Sequence, residues 1–221
     1  MRAADFAFQW ERVLNPATAG RYANILYPIR NAAARFQGGV AYAEEARYSS
    51  STRARTSLLR WMDGSSGCDI GANTVFYGGS SPNTEGTIYL GAQFLFRSPD
   101  RGETWEKISP DLTTNDPAKQ RQQESGGLTI DNTKAENHCT IFTISESPRD
   151  KKVIWVGTDD GNVQVTENDG GKWRLASDAL PGLPPATWIS CVEASTHDRA
   201  TAFVTAHGHR SGDRTPYLYV T

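Results

Sequence analysis

The 221-residue sequence has no run approaching the roughly 18 to 20 apolar residues of a membrane-spanning helix, so no membrane span is expected. Met1-Arg2-Ala3-Ala4-Asp5 leads into no apolar stretch, and no export signal is visible in the chain. A dominant charge sign is missing too. With 23 Lys and Arg against 25 Asp and Glu, the formal charge of -2 recommends neither nucleic acid nor an anionic membrane as a partner. Cysteine is scarce: Cys68, Cys139 and Cys191 form an odd set without CxxC spacing. They support neither a disulfide framework nor a cysteine zinc site, and buried free thiols are the simpler reading. There is no G-x-S-x-G elbow, P-loop, H-E-x-x-H or EF-hand loop, and the glycine pairs lie in turns rather than between a strand and a helix. No cofactor is implied.

The chain does contain 20 Gly, 11 Pro and six Trp, set around short β-branched or aromatic runs. This composition predicts many short strands. An internal repeat organises them. A first copy runs from Asn73 to Pro82 and from Thr87 to Ser109, and a second from Cys139 to Pro148 and from Val153 to Ser177. A third begins at Trp188 and stops at Thr221, the position equivalent to Ser98 and Thr166. Each copy reads as four strands joined by polar turns, which is one propeller blade. In the second copy strands are expected near Thr140 to Glu146, Val153 to Thr158, Asn162 to Thr166 and Lys172 to Ala176. Asp159-Asp160-Gly161 and Asn168-Asp169-Gly170-Gly171 supply the positive φ of tight hairpins.

The expected fold is all-β: an incomplete β-propeller of about two and a half four-stranded blades (73–109, 139–177 and 188–221) after an irregular or divergent N-terminal segment (1–72). For that segment a helix-and-loop stretch, a divergent blade and a truncated or wrongly spliced end all remain open. A lone blade cannot bury both faces, so residues 73–221 are read as a fragment of a larger propeller. Its expected partners are the missing blades or another copy of the chain.

Ser98-Pro99-Asp100-Arg101-Gly102-Glu103-Thr104-Trp105 is the sharpest motif. Ser98 and Asp100 can bond the turn backbone, Gly102 can take a φ that disfavours side chains, and Trp105 can wedge between strands, with Thr104 completing the pattern. The second copy keeps Thr166, Gly170 and Trp173, shifts the aspartate by one place to Asp169, and has Lys172 where Thr is expected. The first motif matches the Asp-box at every defined position, so the chain resembles the neuraminidase-repeat, sialidase-like and sortilin-like propeller superfamily. About two thirds of it is similar to bacterial proteins of this kind that carry the glycosyl hydrolase name. The resemblance implies architecture far more than chemistry. It also implies a secreted or periplasmic location for a full-length protein.

In such propellers the loops after the second strand and the connections between blades share one face, and that is where related proteins bind ligands. The face carries Gln93, the long connection from Pro110 to His138, Asp159, Asp160, the Asp178 to Thr187 connection, and His207-Gly208-His209-Arg210 with Asp213. Asp159 and Asp160 are candidate acid/base carboxylates, with Glu136 and Asp213 beside them, although an Asp-Gly hairpin explains the pair with no chemistry. His207 and His209, with Asp213 or His138, have side chains suited to a metal, but surface histidines in a glycine-containing loop are the simpler account. Arg210 has the planar fork that clasps a carboxylate or phosphate, with Glu136 as a possible support. The Arg-Ile-Pro signature of sialidases is absent. The expected function is therefore a ligand-binding or interaction scaffold for a peptide, protein or glycan, with a xyloglucanase- or sialidase-like glycoside hydrolase fragment as the alternative.

Overall fold

The computed structural model describes residues 11–12, 77–121 and 138–221. They form three antiparallel four-stranded sheets. The first is a meander of β2 (Tyr77–Ser80), β3 (Ile88–Gly91), β4 (Leu95–Ser98) and β5 (Glu106–Lys107). The second repeats it with β6 (Ile141–Glu146), β7 (Ile154–Thr158), β8 (Val163–Thr166) and β9 (Trp173–Leu175), each within a residue or two of the expected bounds. The third holds β10 (Trp188–Ala194), β11 (Ala202–His207) and β12 (Tyr217–Val220). Its outermost position is taken by the two-residue β1 (Glu11–Arg12), with Glu11 opposite Val220 and Arg12 opposite Tyr219. The fold is thus an incomplete propeller whose third blade borrows a strand from the N-terminal segment. Short-range patterning gives no hint of β1, because it is recruited by the unpaired backbone edge of β12.

Blade stacking follows from the two-residue period of a strand. Along β7, Ile154 and Val156 face the first blade, where they join Tyr89, Leu95, Ile108 and Leu112 together with Ile141 of their own blade. Trp155, flanked by Val153, faces the third blade, in a cluster with Val163, Val165, Ile189, Val192, Val204, Tyr217 and Tyr219. Being sandwiched, β7 is buried along its whole length and reads as a continuous apolar run, whereas β11 alternates buried and half-buried residues. The inner strands β2, β6 and β10 stand side by side, and a glycine in the second strand of the preceding blade makes room for each join. A Cβ on Gly91 would lie 2.5 Å from Ile141 Cγ2, and one on Gly157 would lie 2.5 Å from Ile189 Cγ2 and 2.7 Å from Thr143 Cγ2.

The two boxes close the opposite end of the sheets. Ser98 Oγ accepts from Gly102 N at 2.7 Å and donates to Asp100, which accepts from Thr104 N at 2.8 Å and Thr104 Oγ1 at 2.6 Å. The second box corrects the sequence assignment. Asn168, not Asp169, holds the turn, accepting from Thr166 Oγ1 at 3.0 Å and Lys172 N at 2.7 Å, while Gly170 N donates to Thr166 Oγ1 at 3.0 Å. Asp169 occupies the left-handed position (φ 61°) that Arg101 fills in the first box, and its carboxylate reaches across to Arg97 of the first blade. Trp173 Nε1 donates to Ile108 O at 3.0 Å, and a Cβ on Gly170 would lie 2.5 Å from that same oxygen. The second box therefore clamps two blades. Nearby, buried Glu146 accepts from Tyr89 Oη at 2.6 Å, Ser81 Oγ at 2.9 Å and Asn83 Nδ2 at 2.6 Å, a second polar tie between the same blades.

Three substitutions probe this packing. Trp105, 5% exposed, should cost about 3–5 kcal/mol on replacement by Ala, and Asn168→Ala about 1 kcal/mol, both read by chemical denaturation. Gly157→Ala should cost about 1–3 kcal/mol through overpacking against Ile189, although alanine is otherwise the better strand residue; a neutral result would remove the glycine from its spacing role.

Candidate ligand-binding site

The lead-in to β6, the β7–β8 turn, the start of β10 and the β11–β12 loop meet on the face opposite the boxes. Together with the short 3-10 turn Pro117–Lys119 they enclose a cleft of about 200 Å³, lined by Lys119, His138, Asp159, Trp188, His207 and Arg210 among others. Glycine shapes the loop: a Cβ on Gly208 would lie 2.7 Å from Asp213 Cβ, and Gly212 (φ 77°) ends the 3-10 turn His209–Ser211.

The acidic candidates are engaged by the fold. Asp160, 1% exposed, accepts from Thr158 Oγ1 on one oxygen and from both Thr114 N and Thr114 Oγ1 at 2.7 Å on the other, tying the long connection to the hairpin. Asp159, 5% exposed, accepts from Thr140 N at 2.7 Å and returns its own N–H to Thr140 O at 3.0 Å. Asp213 accepts from Tyr217 Oη at 2.6 Å and Thr215 N at 2.8 Å, which braces the β11–β12 loop. These three carboxylates are turn acceptors. Glu136 lies outside the described residues.

The basic and aromatic groups are arranged differently. His138 Nδ1 lies 3.4 Å from Asp159 Oδ1, and hydrogen bonding to that carboxylate pushes the imidazole pKa up to about 9. Neutral, the same nitrogen accepts the Cys139 N–H at 2.9 Å; protonated, it faces Asp159 with a proton. The extended path expected for both histidines ends at His207, and the two rings meet nearly face to face, 4.8 Å apart, rather than converging on a common ion. Among the described residues no group of three or more His, Cys, Asp or Glu is placed to hold a metal. His207 also stacks on Trp188 at 5.8 Å, and burial with the nearby His209 and Arg210 charges holds its pKa below the ordinary histidine value. Arg210 lies over the Trp188 ring at 4.0 Å, and the Phe142 and Trp188 rings meet nearly at right angles with centroids 4.8 Å apart.

The cleft therefore unites His138, Asp159, His207 and Arg210, with His209 at its rim. Gln93 sits apart, in the β3–β4 turn of the first blade, where its carbonyl accepts from Leu112 N at 3.0 Å. Two contributors escaped the sequence reading. Trp188 comes directly after the Asp178–Thr187 connection, which puts it at the rim, but its apolar character reads as strand. Lys119 is one polar residue in a long polar connection, and nothing local distinguishes it.

No family model matches the chain, and no curated protein matches it. Among solved structures, it is similar to an ancestral GH74 enzyme (15% identity, 61% of this chain and 16% of that one, TM-score 0.39). It is also similar to YCF48 bound to D1 peptide (14% identity, 66% and 40%, TM-score 0.36) and to the GH74 enzyme of Niastella koreensis (17% identity, 55% and 26%, TM-score 0.25). The chain spans less than half the length of each.

A pKa raised in the folded state gives stability that is complete below the ordinary histidine value and lost as pH rises through the folded one. The melting temperature should accordingly fall between pH 6.5 and about 9, and His138→Gln should flatten that segment of the profile. Identical profiles for the two proteins would dissociate His138 from Asp159.

Proposed function

We propose that this chain is a noncatalytic binding module, a set of propeller blades whose loop face receives a ligand at the junction of the second and third blades. One observation carries the reading: Asp159, Asp160 and Asp213 are engaged as turn acceptors, while Lys119 and Arg210 of the adjacent cleft are exposed. Glycoside hydrolysis needs two carboxylates facing each other across an open gap, about 5 to 9.5 Å apart, and these three are committed to backbone and hydroxyl donors instead. A peptide, protein or glycan ligand suits the module. In this reading the blade unit is residues 73–221 together with the Glu11–Arg12 strand, and three described blades fall short of the four to eight of typical closed rings. Further blades, from a longer chain or a second copy, complete the ring in this reading.

The test has two parts. Assayed on a panel of aryl glycosides and sialosides, the protein should show no turnover above buffer; turnover abolished by Asp159→Asn or Asp160→Asn, with folding intact, would replace the reading with an enzymatic one. On an array of peptides and glycans the protein should capture at least one class of ligand, and Trp188→Ala should lose it while keeping the far-ultraviolet circular dichroism of the parent. Capture unaffected by that substitution would move the site elsewhere.

A further inference from the structure

The cleft holds more positive charge than its own structure uses. Among the described residues Asp159 is the one acidic group lining it, and it is matched by His138 at 3.4 Å. Lys119 and Arg210 remain, both exposed, and neither forms an ion pair among the described residues. Arg210 is nevertheless held in place, since its guanidinium stacks on Trp188 at 4.0 Å. Stacking uses a planar face and leaves the N–H edge of the fork free, and that edge matches the two oxygens of a carboxylate. A preformed cation loses less side-chain entropy on binding than a freely rotating one.

Resting on the binding-module reading, we infer that the cleft recognises a carboxylate of an acidic peptide, with Arg210 as the oriented fork and Lys119 as the second charge. Two observations favour a peptide over an acidic glycan. The Trp188 ring is already in contact with Arg210, His207 and Phe142, which leaves less of it for a sugar ring to stack on. A space of about 200 Å³ also suits one side chain or chain terminus rather than a run of sugar units.

The experiment is isothermal titration calorimetry on the intact chain at low ionic strength with three capped probes. Acetyl-tetraglutamate amide carries side-chain carboxylates, acetyl-tetraglycine carries a C-terminal one, and acetyl-tetraglutamine amide carries neither. One or both acids should bind and the neutral peptide should not, and the acid that binds identifies which kind of carboxylate is read. Arg210→Gln and Lys119→Gln should each weaken binding about tenfold or more at unchanged melting temperature, and Arg210→Lys should restore only part of the loss. Equal binding of the neutral peptide, affinity unchanged in the double variant, or tighter binding of an oligoglucuronate would overturn the assignment. Silence from all three peptides would overturn it too, while ligand capture on the array would still uphold the broader reading.

Discussion

The close approach of each inner strand over a glycine of the preceding blade is the constraint on which the rest of this structure depends. Gly91 beneath Ile141 and Gly157 beneath Ile189 occupy the same register, each in the second strand and paired with the inner strand of its own sheet. Both isoleucines are fully buried, so neither can retreat to make room for a methyl group. This spacing brings the two faces of β7 into separate cores. It also sets how far one blade's box must reach to touch its neighbour, a distance spanned by Trp173 with Ile108 and by Asp169 with Arg97.

The same geometry separates structural from binding chemistry along each sheet. At the box end, buried Glu146 is matched by three donors. At the loop end, the carboxylates are matched by backbone and hydroxyl donors and by His138, but Lys119 and Arg210 form no ion pair among the described residues. Burying an unmatched carboxylate is costly, whereas an exposed lysine or arginine remains hydrated at little cost. Folding can therefore leave cations available in a cleft more readily than it can leave buried acids available. A net charge of -2 over the whole chain conceals such a local excess.

Much of the fold was legible because strands and hairpins are coded locally. Asp159-Asp160-Gly161 and the complete box at Ser98 to Trp105 declare their turns within a few residues, and the second copy's strands fall where its turns place them. The second box misled because spacing alone aligns any aspartate; the turn needs an acceptor two residues after Thr166, and the amide oxygen of Asn168 serves as well as a carboxylate. Strand β1 was illegible because a two-residue pairing more than 200 positions away along the chain leaves no periodicity. Of the site, His138, His207 and Arg210 could be named from the face they share. The engagement of Asp160 by Thr114 and the stacking of Arg210 on Trp188 depend on elements distant in sequence, so neither could be read from it.

In the third blade a larger residue replaces the glycine, and the packing of that face changes with it. Thr205 pairs with Cys191 as Gly157 pairs with Thr143 and Gly91 with Tyr77, so it stands in the spacing position of its sheet. Its hydroxyl shares a hydrogen bond with Ser190 Oγ at 2.8 Å, which fixes polar atoms where the other blades offer a gap. A neighbour packed on this face cannot approach as β10 approaches the second blade, because a threonine side chain lies in the path of its inner strand. It must stand farther off or supply a polar partner to the Ser190–Thr205 pair. A junction formed on this face would thus be of a different kind from the two described, and the cleft lies beside the second of those two.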